Sequence, residues 1–205
     1  LIGGNQAIYI DVPYLVSPNY TWEKVNTINF GLDMALWQNK LAASFDYYSR
    51  ETLGMLTLGR ELPNVLGAAE PRENAADLRT NGWELTLSYQ DQFHLADAPL
   101  RFNAKFLLSD SHSEIIRFDN PNNSITNYYK GMRLGEIWGL ESDGFFTNTD
   151  EIAALDQTSI IPWGALSIVP GWPKYVDQDG NGVIEKGYTL GDTKDLKRIG
   201  NSTPR

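Results

Sequence analysis

With 205 residues and no cysteine, the chain has the scale of one large domain or of a piece of something larger. It can hold neither a disulfide framework nor a thiolate metal site. Its 26 Asp and Glu outnumber 17 Lys and Arg, for a net charge of −9. That excludes nucleic acid as a partner, because neutralising phosphates needs clustered Lys and Arg.

The opening residues, Leu1-Ile2-Gly3-Gly4-Asn5, lack the basic-then-apolar character of a signal peptide and read as mid-chain sequence, so a fragment is expected. No stretch approaches the roughly 20 apolar residues that a membrane helix requires. From Thr27 to Leu36 the apolar residues instead fall on every second position: Ile28, Phe30, Leu32, Met34 and Leu36. This is the period-2 signature of a strand with one apolar face. Trp37-Gln38-Asn39-Lys40 makes a short turn, and Leu41, Ala43, Phe45 and Tyr47 continue the pattern.

A long link from Thr57 to Thr80 separates this hairpin from a second. Trp83, Leu85, Leu87 and Tyr89 alternate with Glu84, Thr86 and Ser88; a longer turn follows around Phe93 to Ala98. Leu100, Phe102, Ala104, Phe106 and Leu108 then alternate with Arg101, Asn103, Lys105 and Ser109. Such faces arise either in a soluble sandwich, with the apolar side in a core, or in an outer-membrane barrel, with the apolar side on lipid. The runs reach the roughly 9–11 residues of a tilted membrane strand, beyond the soluble mode of about 5–6. Short turns alternating with long loops, and aromatics near strand ends (Trp37, Tyr47, Tyr48, Trp83, Tyr89), favour the barrel.

Residues 115–175 lack sustained alternation. One short helix is predicted from Asp150 to about Asp156, with Asn148 and Glu151 as a capping box and Ile152 and Leu155 on its buried side. The most specific local signal follows: Asp177-Gln178-Asp179-Gly180-Asn181-Gly182-Val183-Ile184-Glu185. Oxygen side chains at positions 1, 3 and 5 and Gly at 6 match the first two-thirds of an EF-hand loop. Hard Ca²⁺ takes six to eight oxygens. Asp177, Asp179, Asn181, the Val183 carbonyl and Glu185 are the candidate donors. Position 12 is Tyr188 where a bidentate acid should close the shell, leaving Asp192 or Asp195 for that role. The plainer reading is an Asx-rich turn held by its own backbone. A cation here would be structural, because no nucleophile or base stands nearby.

His94 and His112 sit in no ligand or triad pattern, and Asp110 with Glu114 reads as a solvated face at a strand end. Asn19-Tyr20-Thr21 and Asn201-Ser202-Thr203 fit a glycosylation sequon that is frequent by chance. Nothing argues for an enzyme.

Five stretches, in order, resemble hallmarks of one family. They are Ser17-Pro18-Asn19-Tyr20-Thr21-Trp22-Glu23-Lys24 with Asn29-Phe30-Gly31-Leu32-Asp33; Phe45-Asp46-Tyr47-Tyr48 with Thr52-Leu53-Gly54-Met55-Leu56; Asn81-Gly82-Trp83-Glu84-Leu85; Gly135-Glu136-Ile137-Trp138-Gly139 with Asp143-Gly144-Phe145-Phe146; and Tyr175 to Gly182 with Asp195 to Arg205. The family is that of SusC/RagA-type TonB-dependent outer-membrane transporters. The resemblance implies an all-β fold of antiparallel hairpins within a 22-stranded plugged barrel. It implies uptake of oligosaccharides or peptides, a SusD-like surface lipoprotein, the TonB complex acting through parts absent from this chain, and outer-membrane lipid around the barrel. It also makes Asp195 rather than Asp192 the closing acid. On this reading residues 1–114 supply barrel strands with hairpin turns and one long loop. Residues 115–205 supply an extracellular loop region with the Asp-rich loop and the start of the next strand. The alternative is a soluble cell-surface β-sandwich, a calcium-binding adhesin or glycan-binding module.

Overall fold

A computed structural model describes residues 15–18, 20–58, 65, 70–160 and 167–203. Four long strands form an antiparallel meander: β1 (Lys24–Leu36), β2 (Leu41–Leu58), β3 (Arg72–Leu95) and β4 (Ala98–Arg117). The period-2 pattern lies in register across all four. Phe30 stands beside Tyr47, Trp83 and Asp110; Leu32 beside Phe45, Leu85 and Leu108; Met34 beside Ala43, Leu87 and Phe106. Side chains at paired positions share a face, so these rows build one continuous apolar surface. The intervening rows, Gly31-Asp46-Glu84-Ser109 and Asp33-Ser44-Thr86-Leu107, build the opposite, mainly polar surface.

The apolar surface is not covered. Ile28 is 76% exposed, Phe30 61% and Phe106 55%. The buried apolar residues among those described are Ala76, Ile115, Ile125, Tyr129, Phe146 and Ile184, at the loop end of the sheet and beyond it. Among the described residues no second sheet packs on the apolar rows, as a sandwich would require. From Trp83 to Leu95 that face runs roughly 40 Å along β3 at about 3.3 Å per residue. Tilted by about 45°, it covers close to the roughly 25 Å apolar band of an outer-membrane barrel.

The strands extend beyond the alternating runs. The link between the hairpins shortens to the residues between Leu58 and Arg72, and β3 and β4 run to Leu95 and from Ala98. The second hairpin therefore closes on a two-residue turn, not the longer one expected. Ala96 and Asp97 both adopt positive φ, 49° and 62°, the twist that suits two-residue hairpins. Tyr48 departs from the expected aromatic girdle: its pairing with Asn29 and Gly82 puts it on the polar face. A Cβ added to Gly82 would stand 2.5 Å from Tyr48 Cζ. Gly82→Ala is therefore expected to cost about 1–3 kcal/mol by overpacking. A Tyr48→Ala background should remove most of that cost, read as the coupling in a double-mutant cycle; additive costs would place the strain elsewhere.

Beyond β4 the chain forms short elements: β5 (Glu136–Leu140), β6 (Ser142–Phe145), α1 (Thr149–Ala154), β7 (Pro173–Tyr175), β8 (Lys186–Thr189), β9 (Asp192–Lys194) and β10 (Leu196–Asn201). They pair as β5–β10, β6–β7 and β8–β9. Ile115 N–H donates to Met132 O and Leu134 N–H to Ser113 O, tying residues 132–134 to the end of β4. Ile125 N–H donates to Tyr188 O and Leu190 N–H to Asn123 O, tying the loop to β8 and its turn.

Asn148 caps α1 by accepting from Glu151 N–H at 2.9 Å. Glu151 does not reach back to the cap; it accepts from Thr147 N–H and Oγ1 at 3.0 and 2.8 Å. Those bonds, the Thr147 amide foremost, hold the Glu151 carboxyl below its usual range. A depressed folded value means this anchorage is complete above the ordinary glutamate pKa and is lost as pH falls through the depressed one. Amide exchange at residues 147–151 should quicken across that acid window; flat protection there would deny the anchorage a role. Ile152 and Leu155 are half-buried. The expectations placed on Leu1 to Asn5, Asn19, Pro204 and Arg205 lie outside the described residues.

Candidate functional site

The Asp-rich loop hangs between β7 and β8, and its shape follows from Asx chemistry. Asp177 Oδ1 accepts from Gly180 N–H at 2.7 Å and Asn181 N–H at 3.3 Å, and its Oδ2 accepts from Gly182 N–H at 2.7 Å. Asp179 Oδ1 accepts from Asn181 N–H at 3.1 Å, and Asn181 Oδ1 from Val183 N–H at 2.7 Å. Each carboxylate or amide thus curls the backbone around itself. Gly182, at φ 81°, takes the left-handed turn that position 6 of such a loop requires. The Gly182 amide, with those of Gly180 and Asn181 adding, outweighs partial desolvation and holds the Asp177 carboxyl below its usual range.

Asp195 enters from the other side. It is fully buried, 0% exposed. Its Oδ1 accepts from Gln178 N–H and its Oδ2 from Glu185 N–H, both at 2.7 Å. Ligand oxygens of Asp177, Asp179 and Asp195 all lie within 4.8 Å of one another. Among the described residues no Lys or Arg nitrogen forms an ion pair with any of the three. Three carboxylates so close repel one another, and a hard cation with an oxygen-only donor set is the group whose chemistry fits them.

The remaining predicted donors are less convergent. Asn181 borders the cluster through its Nδ2, 3.1 Å from Asp179 Oδ2. Val183 is held by the parallel bridge to Asp156, beside the fully buried Ile184. Glu185 places a carboxylate oxygen 3.7 Å from Lys194 Nζ and does not join the three acids. Asp192 lies on β9, exposed, 3.8 Å from the same ammonium.

Two residues that sequence reasoning passed over brace the site. Gln178 was a spacer between ligands by pattern. In the structure its backbone amide holds Asp195 and its side-chain Nε2 donates to Glu141 Oε2 at 3.1 Å. Glu141 follows β5 directly and also accepts from Lys197 Nζ of β10 at 2.7 Å. No local spacing announces a partner 37 residues away.

The other candidates stay apart. His94 and His112 lie on β3 and β4, both exposed, and Asn201 bonds to Leu134 O and Thr203 N–H. Asp110 is half-buried with one oxygen, Oδ1, sealed and unbonded among the described residues, so it is less solvated than its strand-end place suggested.

Set beside known proteins, residues 2–193 match the family described as TonB dependent receptor-like, beta-barrel. The chain belongs to that family. The TonB-dependent receptor barrel is a bacterial outer-membrane structure, and complete TonB-dependent receptors are transporters, not enzymes. This barrel segment is 24% identical over 221 residues to TonB-dependent receptor P3 of Formosa agariphila, spanning 100% of this chain and 20% of that protein. It is 23% identical to TonB-dependent receptor P26 of the same organism, over 82% of this chain and 17% of that one. The segment thus spans about a fifth of these relatives. Among solved structures it is similar to the RagAB peptide importer in its closed-closed state, at 23% identity, 63% coverage of this chain and 14% of that one, with a TM-score of 0.49. A second RagAB peptide transporter structure gives 26% identity and a TM-score of 0.47 over 62% of this chain and 14% of that one.

Proposed function

We propose that this segment is the lipid-contacting wall and an extracellular loop of a SusC/RagA-type importer. It takes up oligosaccharides or peptides, works with a SusD-like surface lipoprotein, and is driven by the TonB complex through other parts of the protein. The observation that carries the reading is the uncovered apolar surface, built from rows in register across four strands. The ordered motifs from Ser17 to the residues after Asp195 support the SusC/RagA type and its lipoprotein partner. The polar face, with Asp46 and Glu84 paired across β2 and β3, suits a hydrated lumen.

We also infer that Asp177, Asp179 and Asp195 hold a structural Ca²⁺, with Asn181, the Val183 carbonyl and Glu185 as further donors on a modest rearrangement. Bound there, the ion would neutralise the three acids and fix the loop.

The test is made on the full-length protein in its native host. Affinity capture should bring down a surface lipoprotein, and a deletion strain should lose growth on a defined oligosaccharide or oligopeptide mixture. Loss of TonB should have the same effect as the deletion. Capture without a lipoprotein, together with undiminished growth in both strains, would sink the import reading.

A further inference from the structure

The β5–β10 ladder ends on the pair Leu140–Leu196. The next residue on each side is Glu141 and Asp195, so the ladder opens directly onto the Asp-rich loop. Gln178, between Asp177 and Asp179, is gripped from both: Asp195 takes its backbone N–H and Glu141 its side-chain amide. Val176 N–H, just before the loop, donates to Glu141 O at 2.9 Å. Lys197, the second residue of β10, closes the circuit on Glu141.

We propose that Glu141 and Gln178 are positioning residues that lock the Asp-rich loop to the β5–β10 ladder, so that cation binding and pairing of that ladder stabilise each other. The inference rests on the calcium reading above. The reasoning is geometric. Asp195 is the only one of the three acids carried by the residue before β10; Asp177 and Asp179 come from the far side of the loop. Their convergence within 4.8 Å depends on what holds residue 178 against residue 195. One side of that hold is the backbone bond to Asp195 itself. The other is the Glu141 carboxylate, which stands outside the three-acid cluster. The Lys197 ammonium, with Gln178 adding, keeps the Glu141 carboxyl below its usual range, so it stays ionised and able to accept. Partners that orient ligands from behind in this way commonly change metal affinity by about 10–100-fold when removed. Coupling of this kind is reciprocal: if the ladder favours the cation, the cation protects the ladder equally.

Calcium titration of the full-length protein in detergent by calorimetry, joined to amide exchange on β10 with and without calcium, tests this. Wild type should bind, and calcium should slow exchange at residues 196–201. Glu141→Ala should weaken binding by about 10–100-fold and erase most of the calcium-dependent protection. Gln178→Ala, which keeps the backbone bond to Asp195, should weaken it less, and the double variant should be no worse than Glu141→Ala alone. Lys174→Ala, which breaks the ion pair to Asp143 on β6, should leave binding unchanged. A wild type that binds no calcium removes the cation reading and this inference with it. Binding that Glu141→Ala and Gln178→Ala leave intact, or β10 exchange indifferent to calcium, overturns the coupling alone and leaves the cation reading standing.

Discussion

Leu85→Arg should destabilise the assembled barrel by about 1–3 kcal/mol, between the roughly 2–4 kcal/mol a guanidinium costs on the lipid face at the bilayer midplane and the roughly 0–1 kcal/mol it costs near the interface. Leu85 sits on β3, an inner strand of the sheet, with Phe45 on one side and Leu108 on the other. Its row lies one step inside the Phe30-Tyr47-Trp83 row, whose rings suit the interface between lipid and water. Thr86→Arg, one residue on, projects from the opposite face beside Ser44. It should cost under about 1 kcal/mol, because that face sees water. Reversible folding of the full-length protein into lipid vesicles in urea measures both. Equal costs for the two variants would mean that the two faces meet the same surroundings, and the barrel reading would fail.

That contrast shows why the centre of the sheet was legible and its ends were not. Within the bilayer one face of a strand meets hydrocarbon and the other water, so the residue types must alternate. Phe30 to Leu36, Leu41 to Tyr47 and Trp83 to Tyr89 carry that imprint. Above the Trp83 row both faces meet water or loops, and the demand lapses. Ser49 to Thr52 and Arg72 to Asn81 are therefore strands without a period, held by pairing and by bonds such as Arg79 to Glu51 and Arg117 to Asp77. The turn at Ala96-Asp97 was missed for another reason. The left-handed conformation there is usual for Gly or Asn, and Ala gives no such signal. Tyr48 followed its neighbours in composition but not in parity, and only the register revealed it lying over Gly82.

In the loop region burial has no period at all. The buried Phe146 is bonded to Gly171 and Trp172 and the buried Ile184 to Asp156, partners too far off in sequence for any window to disclose. The Asp-rich loop was readable because side-chain oxygens that curl their own backbone must lie two residues apart. Its closing acid was not readable from spacing, which left Asp192 and Asp195 level; the family resemblance preferred Asp195. The structure puts Asp195 against Asp177 and Asp179 and leaves Asp192 on the surface. Glu141 had no signal of either kind.

Asp195→Ala is expected to be the most damaging single change in the loop region, with or without a cation. The carboxylate is fully buried and each oxygen takes one backbone N–H. Removing it leaves the part-buried amides of Gln178 and Glu185 without their carboxylate acceptor, and a hydrogen bond to a charged group is worth about 1.5–3 kcal/mol. Asp192→Ala removes an exposed carboxylate whose nearest cation is 3.8 Å away, and should stay within about 0.5 kcal/mol. Amide exchange on the full-length protein held in chelator separates the two. Protection at residues 178 and 185 should fall by roughly one to two orders of magnitude in Asp195→Ala, since about 1.4 kcal/mol is tenfold in an opening equilibrium. It should be unchanged in Asp192→Ala. If Asp195→Ala left both amides protected in chelator, the acid would not be the keystone of the metal-free loop, and its burial would need a cation to explain it.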